Sequence, residues 1–91
     1  MRKEIVIEGG HIYSVADFHE NIAKALSFPS YYRPDVDDLY DTLCHYIDPN
    51  ITIYWNSHSD SQKYLQNEFE RIIEVFERVK SQHTSFEYYL N

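Results

Sequence analysis

The chain has 91 residues, 43% of them hydrophobic and 25% charged, a globular composition that fits one domain, expected to span residues 1–91, and excludes a disordered or fibrous protein. Eight basic against fifteen acidic residues give a net charge of −7, the wrong sign for gripping nucleic-acid phosphates or an anionic membrane surface. No apolar run approaches the roughly 18 residues of a membrane span, and residues 1–10 lack the apolar core of a secretory signal, so a cytoplasmic protein is expected.

The first strand is expected over Lys3 to Ile7, from the β-branched run Ile5-Val6-Ile7, with Gly9-Gly10 as its turn. Ser14 then precedes Val15, Phe18, Ile22, Ala25 and Leu26 at helical spacing, and Asp17 three residues on completes a capping-box pattern with Asp in place of Glu. Pro29 closes that helix. A second helix opens at Pro34 or Asp35, either as first-position proline or as N-cap aspartate, with Val36, Leu39, Tyr40, Leu43 and Ile47 as its apolar stripe. Ile51 to Trp55 is a strand with Ile51, Ile53 and Trp55 on one face. A polar stretch from Asn56 to Lys63 leads into the longest helix, whose core positions are Leu65, Phe69, Ile72, Ile73, Phe76 and Val79. Phe86 to Leu90 is the last strand. The order β-α-α-β-α-β predicts an α/β fold, a small three-stranded parallel sheet with helices packed against it and one sheet face largely in solvent.

The negative charge is concentrated. From residue 34 to residue 62 there is no Lys or Arg, while Asp35, Asp37, Asp38, Asp41, Asp48 and Asp60 contribute six negatives. Asp35, Asp37 and Asp38 fall in a first helical turn, where acids complement the helix dipole and need no further reason. Asp41 lies beyond that turn. At about 100° per residue it stacks on the same flank as Asp37, with Tyr40 between that pair and the apolar stripe, and like charges four apart cost a helix about 0.2–0.5 kcal/mol. That pairing fits an external cationic partner, and a one-signed field would steer such a partner in. Tyr31, Tyr32, Tyr40 and Tyr46 surround the acidic helix, a residue type favoured at the centres of protein interfaces.

Enzyme chemistry finds little support. Paired carboxylates can act as acid and base, but one must be desolvated in a cleft, which the flank of a short helix does not offer. Cys44 borders the apolar stripe and reads as packing rather than as a nucleophile. His11, His19, His45, His58 and His83 are scattered with no metal-binding spacing, and there is no phosphate loop, so neither cofactor nor metal is expected.

The stretch from Pro29 through Tyr31-Tyr32-Arg33-Pro34-Asp35-Val36-Asp37-Asp38-Leu39-Tyr40-Asp41 to Leu43 resembles the barstar family of ribonuclease inhibitors, with its pattern P-x-Y-Y-x-x-N-x-D-x-L-W-D-x-L. The likeness extends to Ile12, Ser14, Asp17 and His19 at the entry to the first helix, to the strand ending in Trp55, and to Val75-Phe76 in the long helix. The resemblance implies a barstar-like fold and an immunity protein that blocks a basic secreted ribonuclease, or a nuclease toxin domain, inside the producing cell, and that is a monomer when free. It also implies that the second helix and its preceding loop plug the enzyme's active site. Asp41 matches the inhibitory carboxylate, Asp37 the second interfacial acid and Tyr31 the loop aromatic, while Tyr40 and Tyr46 stand where the family has Trp. Asp35, in place of the family's Asn, completes the set of expected partner-binding residues. Arg33 replaces a glycine, Arg78 an interfacial glutamate and Gln82 the next acid, which points to a different cognate nuclease. The alternative is a barstar-fold module for another basic protein, such as a toxin domain that is not a ribonuclease.

Overall fold

A computed structural model describes residues 2–91. Strand β1 (Lys3–Glu8) runs into a single tight turn of helix at Gly9–His11, then come α1 (Val15–Ala25) and α2 (Val36–Asp41), β2 (Ile51–Asn56), α3 (His58–Leu65), α4 (Asn67–Gln82) and β3 (Glu87–Leu90). The three strands form one sheet in the order β1-β2-β3, parallel throughout, with Ile5 opposite Ile53 and Ile53 opposite Tyr88. Parallel pairing needs long crossovers, which the helices supply.

Alternation along the strands sorts the two faces of the sheet. Ile5, Ile7, Ile51, Ile53 and Trp55 point into the core, while Val6 and Tyr89 remain 49% and 48% exposed on the outer face. Tyr54 and Tyr89 stack on that outer face, their ring centres 5.6 Å apart. The expected open face is therefore present, partly closed by Arg2, whose guanidinium donates to Ser85 O at 2.7 Å and to Thr52 Oγ1 at 3.1 Å.

Aromatic rings cluster within a mostly aliphatic core. Trp55 is fully buried, with the Phe18 and Phe69 rings each 5.1 Å away. Such pairs add about 0.5–1.5 kcal/mol each beyond their area burial. The indole Nε1 donates to Ser61 Oγ at 3.0 Å, and Ser61 donates in turn to Gly9 O at 2.9 Å. This relay leaves no orphan polar atom along its length and ties β2, α3 and the turn after β1 together. Gly9 allows it, because a Cβ there would collide with the backbone carbonyls of Asn56 and Ser57.

Three local expectations change. The stretch read as polar linker contains α3, which starts after Ser57 in left-handed conformation (φ 53°). Its inward positions are Ser61 and Leu65, so a serine held by the Trp55 relay occupies the place where an apolar residue would have betrayed a helix. Leu65 belongs to α3 and not to the long helix, because Gln66 (φ 53°, ψ −124°) breaks the chain direction between them. The crossover between β2 and β3 is thus two helices. Finally, α2 stops at Asp41 and widens into a π-turn over Thr42–Tyr46, so Leu43 and Cys44 are buried by a wider winding than the 3.6-residue period assumes.

Candidate interaction surface

The loop before α2 is built to hold one conformation. Helix α1 ends in a Schellman arrangement, with Ser27 left-handed (φ 54°), Phe28 N–H donating to Ala23 O at 2.9 Å and Ser27 N–H to Lys24 O at 3.4 Å. Tyr32 turns inward, packs edge-on to Phe28 and shares a 2.6 Å hydrogen bond with His19 Nδ1. Tyr31, the next residue back, is 67% exposed and meets Tyr46 edge-to-face at 6.1 Å. One tyrosine anchors the loop and its neighbour is presented to solvent.

The N-terminus of helix α2 is held by two hydrogen bonds. Asp35, the N-cap, accepts the Asp38 N–H at 2.7 Å, and the Asp38 carboxylate accepts the Arg33 N–H at 2.6 Å. The choice between Pro34 and Asp35 as the start resolves in favour of Asp35 as cap. Two of the acids therefore serve the helix itself. Among the described residues, Asp37 and Asp41 have neither a hydrogen bond nor an ion pair to a side chain, and both are exposed. Arg33, Asp35, Asp37, Asp38 and Asp41 line one shallow depression of about 300 Å³, four carboxylates around one guanidinium-bearing residue.

Tyr40 is half-buried at the edge of the core, and the Arg78 guanidinium of α4 lies 4.1 Å from its ring centre. Its phenol is held above the ordinary value, first by the neighbouring Cys44 side chain and then by burial, with Arg78 opposing and Asp41 adding a smaller upward push. Thus Asp35, Asp37 and Asp41 come together around one depression, Tyr31 and Tyr46 form a pair, and Tyr40 joins α2 to α4.

Sequence reasoning missed Asp38 as a clamp, His19 as a buried anchor and Arg78 as a neighbour of Tyr40. The Asp35-to-Asp38 spacing is a capping-box signal that would have found the first. Nothing local marks the third. Among the described residues, no set of three or more His, Cys, Asp or Glu side chains is arranged to hold a metal ion, and no helix is long and apolar enough to cross a membrane.

Three parallel strands in sequential order, with α2 set against α4 and its acidic flank outward, define a barstar-like α/β protein. The chain belongs to the Barstar family, described as "Barstar (barnase inhibitor)", whose sequence profile matches residues 2–91. A relative from Bacillus subtilis (strain 168), named "Putative ribonuclease inhibitor YrdF", is 27% identical over 82 residues, covering 90% of this chain and 89% of that protein. By these descriptions the family's members are inhibitors rather than enzymes themselves, and what they bind are ribonucleases.

Proposed function

We propose that this protein inhibits a small, basic ribonuclease by seating α2 and the loop before it in the enzyme's active-site cleft. Such a cleft binds RNA phosphates through Arg and Lys side chains, and the Asp41 carboxylate takes the place of the substrate phosphate among them. Asp37 meets a second cation on the same flank. Asp35 borders the contact with the oxygen its capping bond leaves free. Tyr31, Tyr46 and Tyr40 supply the apolar area that excludes water around those charges.

The observation that carries this reading is the unpaired state of Asp37 and Asp41, side by side on a helix whose other acids are spent on capping. A carboxylate pair with no internal partner costs the free protein stability, and cations from outside offset that cost. The inhibitor works in the cytoplasm and the enzyme is secreted, free or as the toxic domain of a larger protein, so inhibition protects the producing cell. The test is titration of the purified chain into barnase and related basic ribonucleases while RNA cleavage is followed. Activity should vanish at one inhibitor per enzyme for the cognate class. Full cleavage at molar excess across the whole panel would end the proposal.

A second reading, a module for a basic protein that is not a ribonuclease, is favoured by Arg33, which stands inside the acidic depression and weakens its field for a phosphate-binding cleft. Tight one-to-one binding to a basic toxin domain lacking RNA cleavage would select it.

A further inference from the structure

Asp37 borders a second depression, of about 280 Å³, shared with Val36 on α2 and with Arg71, Glu74, Val75 and Arg78 on α4. Here the surface changes sign. Arg71 is engaged by Glu68 at 3.5 Å. Arg78 is not engaged by any acid: among the described residues it forms no ion pair with Glu74, one turn before it, with Asp37 across the groove, or with Asp41. It rests on the Tyr40 ring at 4.1 Å instead.

Stacking on a ring occupies the face of a guanidinium and leaves its N–H edge free, in the fork geometry that matches a carboxylate. The ring also limits the rotamers of a long side chain, so less entropy remains to be lost when that carboxylate arrives. A guanidinium needed only to soften the acidic flank would pair with Asp37 or Glu74, both of which line its groove.

We propose that Arg78, shelved on Tyr40, receives a carboxylate of the bound ribonuclease. This rests on the inhibitor reading above and adds the chemistry of its partner. The interface has two signs: the α2 acids face the cations of the enzyme's cleft, and Arg78 faces an Asp or Glu on the rim of the same cleft. Arg78 is then a specificity-determining residue, because an enzyme with Lys or Arg at that rim position meets like charge and is rejected.

The test is a selection from a library of catalytically inactive barnase with its cleft rim randomised, using this chain and its Arg78→Glu variant as separate baits. The wild-type chain should enrich Asp or Glu at a rim position where Arg78→Glu enriches Lys or Arg. Exchanging the two sets should weaken binding at least tenfold in both directions, and Tyr40→Leu, which removes the shelf, should blunt the wild-type preference. Binders that depend on Asp41 but show the same rim residues on both baits would overturn the role of Arg78 and leave the inhibitor reading standing. Binders indifferent to Asp41→Ala, or no binders at all, would overturn both.

Discussion

The Asp38 carboxylate accepts the backbone N–H of Arg33 at 2.6 Å while the Asp38 N–H is given to Asp35, so two acids lock the loop onto the helix that follows it. Helix α1 uses the same device, with Ser14 Oγ accepting the Asp17 N–H at 3.1 Å and Asp17 accepting the Tyr13 N–H at 3.0 Å. In both, the acid reaches back past the capping residue. The loop before α2 is therefore pre-ordered, and binding need not bear the cost of ordering it.

Asp38→Ala should cost about 0.5–2 kcal/mol of stability, the range for loss of a helix N-terminal bond. It should also speed hydrogen exchange at the Arg33 amide and weaken ribonuclease binding through a looser Tyr31. Asp38→Asn keeps an acceptor and should lose less. An Arg33 amide that exchanges at the wild-type rate in Asp38→Ala would show that the clamp does not order the loop.

His19 predicts an acid sensitivity. Burial lowers its pKa below the ordinary 6.5, against smaller opposing effects of Glu68 and Asp35, and Tyr32 is its hydrogen-bond partner. The folded state therefore binds fewer protons at this site than the unfolded state. Stability is full above pH 6.5, falls as pH drops through that unfolded value, and levels off below the folded pKa. Chemical unfolding of wild type and His19→Gln between pH 5 and pH 8 measures the difference in slope. A His19 resonance titrating at or above 6.5 in the folded protein would refute it.

What was legible in the sequence divides along a physical line. Strands, the faces of α1 and α4, and the acidic flank follow from periodicity, because their side chains repeat against one continuous surface. Helix α3 escaped because its inward residue Ser61 is polar, satisfied by Trp55 and Gly9 from distant parts of the chain. The π-turn after Asp41 escaped because a local widening of a helix leaves no apolar period to read. At the site, Asp37 and Asp41 were visible as a costly local pair. The Arg78–Tyr40 contact was not, since it arises only when α4 packs on α2.

Gln66 is a position where the sequence opposes its own backbone. Its φ of 53° and ψ of −124° suit glycine, and other residues held in such regions cost about 1–3 kcal/mol. Gln66→Gly gives back about 0.5–1 kcal/mol through the freedom of glycine in the unfolded chain, so a net gain of about 1 kcal/mol is expected. The Gln66 backbone N–H, donated to Gln62 O at 2.9 Å, survives the change. Thermal unfolding decides the matter: a lower midpoint for the glycine variant would mean that the junction between α3 and α4 carries no strain.

Asp41 should matter more to binding than any other side chain and least to folding. It is exposed where α2 widens into the winding that runs on to Tyr46, beyond the first turn in which the dipole favours an acid, and Asp37 one turn earlier repels it. Asp41→Ala removes no packing and relieves that repulsion, so stability should hold or rise by a few tenths of a kcal/mol. In the proposed complex the same carboxylate would lie desolvated between cations, and deleting it would strand them. Truncating one member of such a pair costs about 2–5 kcal/mol, a range drawn partly from barnase with barstar and so borrowed from this family, which corresponds to about 30- to 5,000-fold in affinity. Asp37→Ala should move in the same direction by less. Tyr40→Ala should lose both binding and stability, because Tyr40 packs against the core and supports Arg78. Inhibition constants against the cognate ribonuclease, set beside thermal unfolding of each free variant, separate these outcomes. An Asp41→Ala protein that inhibits as well as wild type would show that α2 does not enter the cleft.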